Sequence, residues 1–170
     1  MCSSDLDGDF GVKINGANGG PAPESLTDAV YAATRSLEGY RILEGAEIEL
    51  DTPGEQRLGD LVVEVIDGVD DYVTLMGRLF DFERIAALLR SDYRIAFDAM
   101  HAVTGPYATR LLEGLLGAPA GTVRNGTPLE DFGGGHPDPN LTYAHDLAEL
   151  LLQGSDYDFG AACDGDGDRN

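Results

Sequence analysis

Basic residues are scarce in this 170-residue chain: 11 Lys and Arg stand against 31 Asp and Glu, a formal net charge of -20 at pH 7. That balance repels polyanions, so neither nucleic acid nor an anionic membrane surface is expected as a partner. It favours solubility and association with cations. Cysteine is almost absent. Cys2 and Cys163 are the only two, too few for a disulfide framework. Cys163 lies in an apolar run and reads as a small buried hydrophobe, and a cytoplasmic location is the default. No apolar run reaches the ~18 residues that a membrane-spanning helix needs. The opening "MCSSDLDGDF" has neither a basic n-region nor an apolar h-region, so no secretory signal is expected.

What the chain does have is 42% hydrophobic residues, enough for a core in one ordinary domain or two small ones. The first 24 residues are dense in Gly, Asn and Pro and read as loop. A helix is expected from Glu24 to Leu37, with Pro23 before it. "TPGEQRLGD" reads as turns and "LVVEVID", Leu61 to Asp67, as a strand. A boundary between two units is expected near Asp67 to Asp71. After it, "VDDYVTLMGRLF" and "FERIAALLR" read as helices and "YRIAFDAM" as a strand. Further on come a helix carrying Tyr107, Leu111 and Leu115, a helix carrying Leu141, Leu147 and Leu150 with Asn140 as its N-cap, and the strand "YDFGAAC". The fold class is α/β, with parallel or mixed sheets and flanking helices; short apolar strands alternating with helices imply right-handed crossovers. In such sheets function gathers beyond the C-terminal strand ends. Three loops are placed there: "DAMHAVTG", "NGTPLEDFGGGHPDPN" and "DGDGDRN".

The last of these alternates three aspartates with glycine: Asp164, Asp166 and Asp168. Glycine lets the backbone curl until carboxylates at i, i+2 and i+4 converge. Like charges that close cost roughly 4 kcal/mol per pair at ~4 Å and an effective dielectric near 20, so a positive group should sit among them. Hard oxygen ligands suit Mg²⁺ or Ca²⁺. An EF-hand also starts D-x-D-x-D, but it needs glycine where this chain has Arg169, and it follows a helix rather than a strand. A solvated acidic turn is the competing reading. Arg169 beside three carboxylates adds a phosphate-binding group, and a metal with an arginine at a strand end suits phosphoryl transfer.

The stretches "GDFGVKIN", "NGGPAPE", "HAVTGPY", "PLEDFGGGHPDPNLTYA" and "DFGAACDGDGDRN" together resemble the α-D-phosphohexomutase family, and within it the branch specific for α-D-glucose phosphates. The resemblance implies reversible interconversion of α-D-glucose 1-phosphate and glucose 6-phosphate. It would run through a phosphoserine, with glucose 1,6-bisphosphate as intermediate and activator and a hexose phosphate as substrate. It implies one Mg²⁺ per active site, held by Asp164, Asp166 and Asp168, with Arg169 approaching the phosphoserine and Lys13 as acid/base or charge stabiliser. Residues 1–67 would be the C-terminal part of domain 1, with residues 1–6 atypical, and 68–170 domain 2, truncated at the metal loop.

One element of the family pattern is missing. The nucleophilic serine belongs to Thr-Ala-Ser-His-Asn-Pro-Gly-Gly, and counting back from Asp9 places it before Met1. Ser3 and Ser4 have neither the spacing nor the context. An internal fragment is therefore expected, inactive by itself. The alternative is a cation-binding remnant with a structural or regulatory role. Nothing in the sequence fixes an oligomeric state. His101 and His136 are expected to brace loops, and His145 to lie on a helix surface.

Overall fold

The computed structural model describes residues 12–42, 47–153 and 156–170. They divide into two units, the described parts of residues 12–67 and of 68–170.

The first unit opens with a turn. Asn15 bridges Pro21, and Gly16 N–H donates to Gly20 O at 2.8 Å. Pro23, at φ -65° and ψ 150°, starts helix α1, Glu24–Thr34; its fixed φ matches a helix start. The helix ends earlier than the expected Leu37. The Thr34 and Ser36 hydroxyls donate to Tyr31 O and Ala33 O, local bonds that compete with helix continuation. The stretch expected to be only turns holds a strand, β1, Gly54–Leu58, paired antiparallel with β2, Leu61–Val65, across the two-residue turn Gly59–Asp60. Its polar residues Glu55, Gln56 and Arg57 carry no hydrophobic alternation, so pairing rather than composition makes the strand. Among the described residues of this unit none is buried.

The second unit starts with α2, Gly68–Leu79, and α3, Phe82–Leu89. The Asp81 carboxylate accepts from Arg84 N–H at 3.1 Å and caps α3. Strand β3, Ile95–Asp98, follows, and then α4, Thr104–Ala108, which runs into a π-helical stretch over Thr109–Leu115. Strand β4 is Val123–Arg124, α5 is His145–Leu152 and β5 is Phe159–Ala162. The sheet order is β4-β3-β5, and both pairings are parallel.

Alternation along β3 sends neighbours to opposite faces. Ala96 joins Met100, Ala144, Leu147 and Ala162 in one core cluster, beneath α5. Ile95 packs against the other, built on Ala86, Leu89, Leu116 and Ala118. Burying a side chain such as Leu147 contributes about 2 kcal/mol.

Two close approaches fix the layers. A Cβ on Gly160 would lie 2.4 Å from Leu151 Cδ1, so α5 rests directly on β5. A Cβ on Gly105 would lie 2.0 Å from Gly126 O, so the start of α4 touches the backbone beyond β4. Glu113, in the π-helical stretch, accepts at Oε1 from Gly121 N–H and Val123 N–H and ties that stretch to β4. The helix expected to carry Leu141 starts later, at His145. Asn140 Oδ1 accepts from Thr142 N–H at 2.8 Å and Tyr143 N–H at 3.1 Å, capping an isolated turn, and Leu141 is exposed.

Candidate metal centre

Strand β5 runs into the aspartate loop. Cys163 N–H donates to Asp98 O at 3.2 Å, which carries the β3–β5 pairing one residue further. Asp164 comes next and is 1% exposed. Its Oδ1 accepts from Arg169 N–H at 3.0 Å and its Oδ2 from Arg169 Nε–H at 2.8 Å. Its own N–H donates to Arg169 O at 3.2 Å, and its carbonyl accepts from Gly167 N–H at 3.2 Å. Residues 164–169 thus close on themselves around one buried carboxylate. Gly167 is required in this loop. It sits at φ 78°, and a Cβ there would lie 2.6 Å from Thr104 Cγ2.

One carboxylate oxygen from each of Asp164, Asp166 and Asp168 lies within 4.8 Å of the other two. At such separations each pair repels by on the order of 3 kcal/mol at an effective dielectric near 20. Solvent screening lowers this at Asp168, whose side chain is 58% exposed. The Arg169 guanidinium supplies one compensating charge, with Nε also 3.9 Å from Asp168 Oδ1. Three converging hard oxygens fit a hard divalent cation, for which Mg²⁺ and Ca²⁺ are the matching class. Cys163 is half-buried. Burial first, and then the Asp164 charge, push its thiol pKa upward, which keeps it an inert, protonated side chain rather than a nucleophile.

The loops beyond all three strands meet here. After β3, Ala99 N–H donates to Arg124 O and His101 N–H to Asn125 O, each at 3.0 Å. Asp98, buried, accepts at Oδ1 from Met100 N–H at 2.8 Å and Asn125 Nδ2–H at 2.9 Å. Those bonds hold Met100 and His101 at φ 51° and 55°, left-handed values that non-glycine residues seldom adopt.

His101 Nδ1 lies 2.9 Å from Thr127 O, and a Cβ on Gly133 would lie 2.8 Å from the His101 ring, so this histidine braces the long loop. His136 stacks at a tilt on Tyr143, ring centroids 4.3 Å apart. His145 is on the surface of α5 near Glu149. The "GGG" stretch is a tight 3₁₀ turn over Phe132–Gly134, closed by Asp131, whose carboxylate accepts from Gly133 N–H at 3.0 Å.

Of the residues singled out from sequence, Asp164, Asp166, Asp168 and Arg169 come together. Lys13 lies in the first unit, at an exposed position. Ser3, Ser4 and Cys2 lie outside the described residues. Asp138 was missed as a site residue. Its Oδ1 lies 3.7 Å from Arg169 Nη1. No local pattern signals a contact between positions 31 apart.

A cavity of about 430 Å³ opens beside the loop, lined in part by Tyr72, Phe97, Thr104, Tyr107, Cys163 and Asp166.

Residues 70–170 match the phosphoglucomutase/phosphomannomutase α/β/α domain II. The chain is 53% identical to a phosphoglucomutase of Rhizobium radiobacter over 162 residues, which is 95% of this chain and 30% of that protein. It is 47% identical over 171 residues to phosphoglucomutase-1 of Oryctolagus cuniculus, covering 96% of this chain and 30% of the relative. Among solved structures, the open form of the Paramecium exocytosis-sensitive phosphoprotein pp63/parafusin, a phosphoglucomutase, superposes with a TM-score of 0.83 at 45% identity, over 92% of this chain and 30% of that one. The chain therefore spans about a third of the length of these relatives, and it belongs to the phosphoglucomutase/phosphomannomutase family.

Proposed function

We propose that this segment supplies the metal loop of an enzyme that interconverts α-D-glucose 1-phosphate and glucose 6-phosphate. The observation that carries the reading is the convergence of Asp164, Asp166 and Asp168 within 4.8 Å, with the Arg169 guanidinium held against them. The three aspartates would hold one Mg²⁺. When bound, the ion would supply positive charge to a phosphoryl oxygen.

The chain's own residues do the rest. Asp164 fixes both the loop's backbone and the Arg169 side chain. The guanidinium, partly solvent-facing, binds phosphate oxygens and offsets their charge during transfer. By its resemblance to the family lysine, Lys13 would serve as acid/base or charge stabiliser. The nucleophile would be a phosphoserine, and glucose 1,6-bisphosphate the intermediate that reorients. Residues 1–67 correspond to the end of domain 1 and 68–170 to domain 2. Among the described residues no helix is long and apolar enough to cross a membrane.

The test is a coupled assay on the complete protein that carries this segment. Glucose 1-phosphate, Mg²⁺ and a trace of glucose 1,6-bisphosphate are supplied, and glucose 6-phosphate is read through a dehydrogenase. Mg²⁺-dependent turnover that disappears with Asp166→Asn supports the reading. A protein that binds Mg²⁺ but shows no turnover refutes it and leaves a cation-binding role without catalysis. The 170-residue chain alone is expected to show no turnover, because it contributes the metal loop without the serine.

A further inference from the structure

Arg169 is gripped from two sides. Asp164 Oδ2 accepts from its Nε–H at 2.8 Å. On the other side Asp138 Oδ1 lies 3.7 Å from Nη1. Asp138 is itself held. Its Oδ2 accepts from Asn140 Nδ2–H at 2.9 Å, which leaves Oδ1 toward the arginine. The backbone around it is pinned as well: Pro137 is fully buried, Asp138 N–H donates to His136 O at 2.9 Å, and Asn140 N–H donates to Asp138 O at 2.8 Å. Asn140 is anchored in turn through its bonds to Thr142 and Tyr143 N–H. A continuous chain of polar contacts thus runs from the segment before α5 to the metal loop: Asn140, Asp138, Arg169, Asp164.

We infer that Asp138 is a positioning residue for Arg169. A guanidinium has a rigid, planar set of donors, so a bond at its Nε edge together with a charge facing its Nη1 corner favours one direction of the whole plane. Asp164 and Asp168 both meet the guanidinium at Nε, whereas Asp138 meets it at the Nη1 corner. Asp138, set by Asn140, adds a charge-based restraint at that second corner. The consequence for phosphate binding rests on the function proposed above; the restraint on Arg169 does not.

The test is the solvent exchange rate of the Arg169 Nε–H proton, read by ¹H–¹⁵N NMR on the complete protein that carries this segment and assigned with Arg169→Lys. Asp138→Asn keeps an oxygen for Asn140 but removes the charge facing Arg169. It is expected to speed exchange about two- to fivefold, the range for loss of one partly exposed ion pair. Asp138→Glu restores the charge and is expected to return most of the slow exchange; a purely structural role for Asp138 would make the longer side chain the worse of the two. Asp131→Asn, in the same long loop, is expected to leave the rate unchanged. The inference is overturned if Asp138→Asn exchanges like the parent with its backbone spectrum intact, or if Asp138→Glu is no slower than Asp138→Asn. These readings need no turnover, so they stand apart from the fate of the proposed activity.

Discussion

The buried carboxylate of Asp164 holds Arg169 twice: its Oδ1 and Oδ2 accept from the backbone N–H and the side-chain Nε–H of the arginine, at 3.0 and 2.8 Å. The same carboxylate is one of three whose oxygens converge. It shapes the loop, and under the function proposed above it would also contribute to cation binding; the two tasks separate under mutation. Asp164→Asn keeps the size and one oxygen acceptor but removes a charge. Affinity for Mg²⁺, or for Mn²⁺ as its probe, is expected to fall about tenfold or more, since hard cations select for ligand charge. Asp168→Asn lowers cation affinity too, but with little loss of stability, because its side chain is over half exposed. Calorimetric titration with the metal and urea melts of the same variants read the two effects separately. Equal metal affinity in Asp164→Asn and the parent would remove Asp164 from the ligand set.

Gly105 and Gly39 make a steric prediction. A Cβ at Gly105 would stand 2.0 Å from a backbone oxygen, whereas one at Gly39 would meet nothing within 4 Å. Backbone cannot swing aside as a flexible side chain can, so Gly105→Ala is expected to cost about 2–3 kcal/mol. In a unit of roughly 100 residues that lowers Tm by about 10 °C or more. Gly39→Ala is expected to be within about 0.5 kcal/mol of neutral. Thermal denaturation of the two variants decides it, and equal melting temperatures would show that α4 and the segment after β4 are not in contact.

Much of the second unit was legible in sequence because its strands are short apolar runs and its helices have clear apolar faces. "YRIAFDAM" and "YDFGAAC" each became strands, and the aspartate loop followed the latter as its glycines and spacing implied. β1 was not legible: Glu55-Gln56-Arg57 has no hydrophobic period, and only its pairing with Leu61–Val65 makes it a strand. The late start of α5 was hidden because Asn140 does cap, but it caps a turn that ends before His145. Asp138 was hidden because its partner lies far along the chain. Asp98 was hidden because the strand showed its apolar neighbours and not its role in shaping the following loop.

Asp98 offers a third test. Its buried Oδ1 accepts from Met100 N–H and Asn125 Nδ2–H and so holds two consecutive residues at positive φ. Asp98→Ala leaves both donors without that acceptor and releases the strained turn. A cost of about 2–4 kcal/mol is expected. Asp98→Asn retains an oxygen that can accept both bonds, so its cost should be roughly half as large. Urea unfolding measures both, and an Asp98→Ala variant as stable as the parent would show that the turn holds its shape without the carboxylate.

The tautomer of His101 follows from its partner. Nδ1 lies 2.9 Å from the Thr127 carbonyl oxygen, and a carbonyl oxygen can only accept, so Nδ1 carries the proton whenever that bond is present. Long-range ¹H–¹⁵N NMR of the imidazole is expected to show the Nδ1–H tautomer as the dominant neutral form, in contrast to His145, which lies on the surface. His101→Phe keeps a ring against Gly133 but loses the donor to Thr127 O. It is expected to destabilise by about 1 kcal/mol, the net value of one hydrogen bond, and the change should concentrate in the amide resonances around Thr127, Leu129 and Gly133. Resonances that stay unperturbed there, with an Nε2–H tautomer in the parent, would show that His101 does not brace this loop.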